Sequence, residues 1–197
     1  MNWMNPKHEA EALAKKYQEA TPYPHLQLPE FLTQKRFKAL VEALSQEEFI
    51  HKESDLFSLA QTNNLQTSKN ETIQEFISFM NSKETRKWFK TLTGVATTPG
   101  EIEVFGALYQ DTDYLLCHDD QLEERKLAWI LYLTTLDTEQ GGGLALYTDN
   151  NGPEKKVLAY QPEANSLALF TVSPQSWHEV EEVTDKIYRV SIGGWLL

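Results

Sequence analysis

Apolar residues return at i, i+3, i+4 and i+7 in three stretches of the first half of the chain: Ala10/Leu13/Ala14/Tyr17, Phe37/Leu40/Val41/Leu44 and Ile73/Phe76/Ile77/Met80. This spacing places each set on one side of a helix, so three amphipathic helices are expected. A fourth, shorter helix is expected from Ser82, an N-cap residue type, through Trp88 and Phe89 to Gly94, which stands where a glycine ends a helix. Between these helices, Phe49-Ile-His-Lys reads as an edge strand and 61–69 as a polar loop. His8, His25 and His51 each stand apart from other ligand types and are expected at the surface or as caps.

After Pro99 the pattern changes to short β-rich runs at 103–110, 114–118, 127–135, 143–147, 156–160, 166–172, 176–181 and 187–195. Turn chemistry separates them: Asp111-Thr-Asp, Gln140-Gly-Gly-Gly, Asp149-Asn-Asn-Gly-Pro, Gln161-Pro-Glu-Ala-Asn, Ser173-Pro-Gln and Thr184-Asp-Lys. About eight short strands with such turns suggest a sandwich or jelly roll rather than β/α units. The expected class is α+β, a single domain over 1–197. About 1–97 form helical support packed on one face, and about 98–197 form the β-roll core.

Composition sharpens the division. None of the nine glycines precedes Gly94, and no proline falls between Pro29 and Pro99. The net charge of −11 lies wholly in the second half, because 1–97 carries 12 basic and 12 acidic residues and 98–197 carries 6 and 17. That half would repel a phosphate backbone, so direct nucleic-acid binding is not expected. A basic polypeptide or a divalent cation suits it better. Cys117 is the one cysteine, and the first residues carry no apolar core of signal-peptide length, so a reducing, cytoplasmic location is expected. No apolar run reaches the ~20 residues of a membrane helix.

The candidate chemistry begins at Tyr114-Leu-Leu-Cys-His-Asp-Asp, where His118 and Asp120 stand two apart and leave one face of an extended segment. Sixty residues later His178 lies in another β-rich run, Ser176-Trp-His-Glu-Val. Two histidines and a carboxylate on one side of a metal form the facial triad suited to Fe(II), with three positions left open. The alternative is a hydrogen-bonded His–Asp pair at a strand end. In the last strand Arg189 and Ser191 share one face of an apolar segment. A guanidinium there matches a carboxylate bidentately, with the hydroxyl adding a bond; a salt bridge to a nearby acid is the competing reading. Tyr132 sits in the most continuously apolar run, 127–134, and its buried hydroxyl wants a polar partner. Tyr109 is a weaker case of the same kind. Cys117 beside His118 invites a thiolate nucleophile, but alternation points it away from the metal face, where it reads as a small buried apolar group. Glu123, Glu124, Glu179, Glu181 and Glu182 read as solvated acidic surface, while Trp177 and Trp195 read as core or as cavity wall.

Several segments in order and spacing carry a family resemblance: Asp113-Tyr-Leu-Leu-Cys-His-Asp-Asp-Gln-Leu-Glu, Ala128-Trp-Ile-Leu-Tyr-Leu, Gly141-Gly-Gly-Leu-Ala-Leu-Tyr, Asn165-Ser-Leu-Ala-Leu-Phe-Thr-Val-Ser-Pro-Gln-Ser-Trp-His-Glu-Val and Arg189-Val-Ser-Ile-Gly-Gly-Trp. Together they resemble the 2-oxoglutarate and Fe(II)-dependent oxygenases, and among them the prolyl hydroxylases of ribosomal proteins. The resemblance continues more loosely through Ser54-Asp-Leu-Phe-Ser-Leu-Ala-Gln-Thr-Asn-Asn-Leu and covers the chain from about Pro29. It implies a double-stranded β-helix in which His118, Asp120 and His178 bind Fe(II). It further implies that Arg189 grips the distal carboxylate of 2-oxoglutarate, assisted by Tyr132 and Ser191, with Tyr109 near the cosubstrate. Aspartate at 120, where related halogenases have a small residue, implies hydroxylation. Oxygen is the second cosubstrate, and the resemblance admits ascorbate as a reductant.

The implied reaction couples oxidative decarboxylation of 2-oxoglutarate to hydroxylation of a prolyl residue in a basic ribosomal small-subunit protein of the decoding centre. Two departures stand out. Eukaryotic members carry a second, non-catalytic roll, so this chain reads as the catalytic-only form, and the His178–Arg189 interval is one residue shorter than in larger members. The other readings are an oxygenase acting on another protein or a small molecule, and a non-catalytic jelly-roll binding module with no membrane or nucleic-acid role.

Overall fold

The four helices form as the apolar spacing predicts: α1 (Ala10–Gln18), α2 (Gln34–Leu44), α3 (Glu71–Asn81) and α4 (Lys83–Thr93). Ser82 caps α4 by accepting a hydrogen bond from the Thr85 amide, and Gly94 closes it in the left-handed region at φ +77°. Asn70 does the same for α3, accepting from the Thr72 and Ile73 amides. The computed structural model describes residues 3–100, 102–122, 124–149, 151 and 153–197; Glu123, and Asn150 and Gly152 of the turn after Asp149, lie outside them.

The front half also contributes three strands, β1 (His25–Leu28), β2 (Ile50–Ser54) and β3 (Phe57–Gln61), of which the sequence pattern predicts only β2. All eight strands expected after Pro99 are present: β4 (Ile102–Tyr109), β5 (Tyr114–His118), β6 (Leu127–Tyr132), β7 (Leu144–Tyr147), β8 (Lys156–Tyr160), β9 (Leu167–Thr171), β10 (His178–Val180) and β11 (Arg189–Leu196). They join in one antiparallel path, β1-β9-β6-β11-β4-β3-β5-β10-β7-β8, with β2 paired to β3. The result is a double-stranded β-helix. The front half, expected as helical support with one edge strand, thus adds three strands to the roll. β1 extends one edge through His25↔Phe170 to Leu28↔Leu167, and β3 bridges the two halves of the roll by pairing with both β4 and β5. The expected loop at 61–69 begins one residue late, since Gln61 closes β3, and it holds a 3-10 turn at Leu65–Thr67.

Alternation in the strands decides where the core lies. Leu127, Trp129 and Leu131 of β6, Leu167 and Leu169 of β9, and Ile192 and Leu196 of β11 point outward and pack with helix residues such as Tyr17, Leu40, Phe76 and Phe89. Between them, Ala128 and Tyr132 of β6 and Ala168 and Phe170 of β9 point into the roll, against Leu144 and Leu146. The helices thus cover one face of the sheet, as expected, and leave the other to line an interior. Two of the histidines expected at the surface or as caps are buried, each with a ring nitrogen against a backbone carbonyl. His8 lies against the Glu30 carbonyl and His25 Nδ1 is 2.6 Å from the Tyr23 carbonyl, and burial pulls both imidazoles below the ordinary value. His51 is exposed, as expected. Among the described residues, no helix is long and apolar enough to cross a membrane.

One buried residue ties the front to the roll. Asn165 holds φ +66°; its Oδ1 accepts from the Leu32 amide and its Nδ2 donates to the Leu32 carbonyl, each at 2.9 Å. Replacing it by alanine strands both backbone groups and puts a residue that tolerates the left-handed region less well than asparagine at φ +66°. Asn165→Ala should therefore cost about 2–4 kcal/mol, read as a lowered denaturant midpoint at unchanged slope. A loss below about 0.5 kcal/mol, the range of ordinary surface changes, would refute this role.

Candidate metal centre

β5 and β10 pair so that His118 stands directly opposite His178. Each ring is fixed in the same way. His118 Nδ1 lies 2.8 Å from the Leu116 carbonyl and His178 Nδ1 lies 2.7 Å from the Ser176 carbonyl. A carbonyl only accepts, so both Nδ1 atoms carry the proton and both Nε2 atoms turn their lone pairs inward. Asp120 lies two residues past the end of β5 at φ +62°. Its Oδ1 is 3.3 Å from His118 Nε2 and its Oδ2 is 3.4 Å from His178 Nε2. The three ligand atoms fall within 4.8 Å of one another, and the group is the metal-competent cluster found among the described residues. Two neutral imidazoles and a carboxylate on one side, with the other side facing a cavity, suit a divalent metal that keeps open positions.

The carboxylate has a further partner, since Trp195 Nε1–H donates to Asp120 Oδ2 at 2.9 Å. Burial works against ionising Asp120, but the His178 and His118 contacts outweigh it and hold its carboxyl far below the ordinary carboxylate range. At His118 burial disfavours the cation, and the hydrogen bond and charge of Asp120 outweigh that and raise its pKa.

Arg189 begins β11 and is 1% exposed. Its Nε donates to the Gly142 carbonyl at 2.7 Å, and its Nη1 reaches Ser191 Oγ at 3.5 Å. Among the described residues Nη2 has no hydrogen-bond partner, nor has the buried hydroxyl of Tyr132. The guanidinium lies over the rings of Tyr109 and Tyr132, with its central carbon 4.8 and 5.1 Å from their centroids. No carboxylate forms an ion pair with it among the described residues, so the competing salt-bridge reading does not hold there. A buried cation with an unmet donor calls for an anionic ligand. Burial raises the Tyr109 hydroxyl to about 12 against the opposing Arg189 charge, which leaves it a neutral donor.

A cavity of about 280 Å³ connects these groups, lined by His118, Asp120, His178, Arg189, Ser191 and Tyr109 and walled by apolar side chains. That size is near the lower end of small-molecule sites, roughly 300–1,000 Å³. Tyr132 is not among the lining residues, although its ring lies under the Arg189 guanidinium. Cys117 faces away from the cavity, half-buried, and burial pushes its thiol up to about 11, which removes the nucleophile reading. Trp195 walls the cavity and Trp177 does not. Of the acids expected as solvated surface, Glu124 and Glu182 are exposed, whereas Glu179 and Glu181 are half-buried and accept from Tyr147 and Lys156. Sequence reasoning missed the Phe57, Leu59 and Gln61 wall, although their alternation with Ser58 and Ala60 is a period-two signal.

Residues 104–197 match the family described as the 2OG-Fe(II) oxygenase superfamily. The chain is 37% identical over 193 residues to mouse (Mus musculus) "Prolyl 3-hydroxylase OGFOD1", with 95% of this chain and 34% of the relative covered. It is 29% identical to "Prolyl 3,4-dihydroxylase OGFOD1" of Ostreococcus tauri, covering 88% of this chain and 38% of the relative. The chain thus spans about a third of the length of the curated relatives it matches. In fold, the chain is similar to a Pseudomonas putida prolyl-4-hydroxylase (TM-score 0.72, 18% identity, 95% of this chain and 97% of that one). It is equally similar to a Trichoplax adhaerens prolyl hydroxylase in complex with a hypoxia inducible factor peptide fragment (TM-score 0.73, 14% identity, 95% and 88%).

The opposing influences on His118 give a signed prediction for the metal-free protein. Its titration, followed by NMR, should lie above 6.5 in the wild type and fall below 6.5 in Asp120→Asn, where burial acts without the carboxylate. Because the folded value is raised, the contribution to stability is full below pH 6.5 and is lost as pH rises through the folded value. An unchanged titration in Asp120→Asn would count against the pairing.

Proposed function

We propose that this chain is an Fe(II)- and 2-oxoglutarate-dependent dioxygenase that hydroxylates a prolyl residue of a protein, with a basic ribosomal small-subunit protein of the decoding centre as its substrate. The observation that carries the reading is Arg189: a buried guanidinium with an unpartnered Nη2, on the same cavity as a His-Asp-His cluster. A dicarboxylate spanning the two would satisfy both ends. The prolyl hydroxylase names of relatives matched over most of this chain support the reaction class.

In this reading His118 and His178 present Nε2 lone pairs, and Asp120 presents one carboxylate oxygen while Trp195 holds the other. Arg189, with Ser191 and Tyr132, takes the distal carboxylate of 2-oxoglutarate, and the neutral Tyr109 hydroxyl stands beside it. Bound Fe(II) with 2-oxoglutarate and O2 supplies oxidative decarboxylation to succinate and CO2 and insertion of one oxygen into a C–H bond; ascorbate keeps the metal reduced. Phe57, Leu59, Leu115 and Val180 keep water from the reacting carbon. The helices and the roll act as one domain, sharing the core that Trp129 and Phe76 join. The acid excess of 98–197 draws a basic substrate by long-range attraction, and a ribosomal substrate places the reaction in the cytoplasm.

The test is anaerobic loading with Fe(II) followed by oxygen, measuring succinate with and without a proline-containing decoding-centre peptide and its mass gain of one oxygen. His118→Ala should lose turnover, and full activity would sink the metal assignment. Succinate without peptide modification would remove the substrate assignment alone. Arg189→Met should raise the 2-oxoglutarate KM by about 10-fold or more, the loss of a charge-assisted bidentate contact of ~1.5–3 kcal/mol, with a smaller effect on kcat. An unchanged KM would reject its role. Raising salt from 50 to 300 mM should raise the peptide KM and leave the 2-oxoglutarate KM nearly constant; equal insensitivity of both would reject the steering argument.

A further inference from the structure

Trp195, which holds Asp120, is itself held from outside the cavity. Its strand partner across β4 is Glu103. The Arg125 guanidinium lies over the Trp195 ring with its central carbon 3.4 Å from the centroid, and Phe105 lies 5.5 Å away, tilted by 40°. Arg125 is anchored in turn by a bidentate pair with Glu103, Nε to Oε1 at 3.2 Å and Nη2 to Oε2 at 2.5 Å. Its side chain is only 13% exposed, although it belongs to the segment between β5 and β6 rather than to a strand. The contacts form a continuous chain: Glu103, Arg125, the indole, Asp120.

We infer that Arg125 is a positioning residue for the metal-binding carboxylate, acting through Trp195. The inference rests on the reading that His118, Asp120 and His178 hold a metal. A carboxylate that gives one oxygen to a metal needs a donor for the other, and the indole N–H supplies it at a fixed place. An indole is a single-point donor that turns about two side-chain torsions, so its direction depends on what closes its faces. Arg125 lies over a face of the ring, and the tilted Phe105 ring packs beside it. The attraction of a cation to the ring face and the planar fork of the guanidinium make arginine suited to this: one plane stacks while its edge is tied to Glu103. Lysine would keep the charge and lose the fork. Asp120 also lies past the end of its strand in the left-handed region, where no ladder bond holds it, so an outside brace has something to correct.

Co(II) in place of Fe(II) gives a test that does not depend on turnover. Calorimetric Co(II) affinity and the visible Co(II) spectrum would be measured on the full chain for wild type, Arg125→Met, Arg125→Lys, Trp195→Phe and the double variant Arg125→Met/Trp195→Phe. Arg125→Met keeps the aliphatic stem on the ring, and it should weaken Co(II) binding about 10-fold and shift the spectrum, as outer-shell changes commonly do. Arg125→Lys should recover part of the affinity. The decisive result is non-additivity: once Trp195 is phenylalanine, changing Arg125 should do nothing further. Wild-type affinity and spectrum in Arg125→Met, or a second full loss in the double variant, would overturn the inference. Should Arg125→Met fail to fold, Glu103→Gln, which frees the guanidinium at its outer end, is read in the same cycle with a smaller expected loss. Wild type that binds no Co(II) would bring down the metal reading itself, whereas a wild type that binds normally beside an indifferent Arg125→Met brings down this inference alone.

Discussion

A sheet covered on both faces is normally apolar on both, and this one is not. Its outer face, from Leu127, Trp129, Leu131, Leu169 and Ile192, is sealed by the helices, yet its inner face carries Arg189, Ser191, Tyr109 and Tyr132. Burying a guanidinium without a carboxylate is costly, and the chain meets that cost only in part, with the Gly142 carbonyl, Ser191 Oγ and two aromatic faces. Everything else in the architecture follows from tolerating this. The helical front supplies the apolar burial that the inner face does not, and Asn165 ties that front to the roll. The cavity stays open because the groups lining it want a ligand more than they want each other.

The backbone does as much at this site as the side chains. Both imidazoles are oriented by a carbonyl two residues earlier in the chain, so the sequence distance between His118 and His178 is irrelevant once β5 and β10 set them opposite each other. Gly142, at φ +69°, brings its carbonyl onto Arg189; a Cβ there would come within 3.0 Å of Arg189 Cδ. The neighbouring Gly141 has even less room, because its Cβ would fall 1.9 Å from the Glu182 carbonyl oxygen. The glycine run that reads as turn chemistry in the sequence is therefore also the floor under the arginine.

The strands after Pro99 were legible because alternation and turn residues are local signals, and the residues of the site sit on those strands or at their ends. The reason offered for His118 and Asp120 converging was only half of the physics. Spacing by two places them on one side of an extended segment, but the strand stops at His118 and Asp120 returns to that side through a left-handed residue. β1 was not legible: His25-Leu-Gln-Leu is too short to show a period, and it is a strand because β9 offers it an edge. β3 was legible and overlooked, since Phe57, Leu59 and Gln61 alternate plainly. The status of Arg189 could not be read from sequence, because whether one of the nearby acids reaches it depends on where turns place them.

The charge excess also changes meaning in three dimensions. Counting assigns 17 acids to 98–197, as if all were available to a partner. Several are already committed: Asp120 to the two histidines, Asp113 to Ser58 Oγ and the Gln110 amide, Glu103 to Arg125, Glu179 to Tyr147 and Glu181 to Lys156. Such acids are screened by their own partners and add little to contact affinity, since a hydrogen-bonded carboxylate gives up one partner to gain another. Asp113 and Glu179, held by hydroxyl and amide donors, keep their charge in the field at a distance, whereas Arg125 and Lys156 neutralise Glu103 and Glu181. A basic partner would therefore be drawn toward this half by more charge than it could ever touch, and the choice between basic partners must fall to the residues that line the cavity, Phe57 and Leu115 among them.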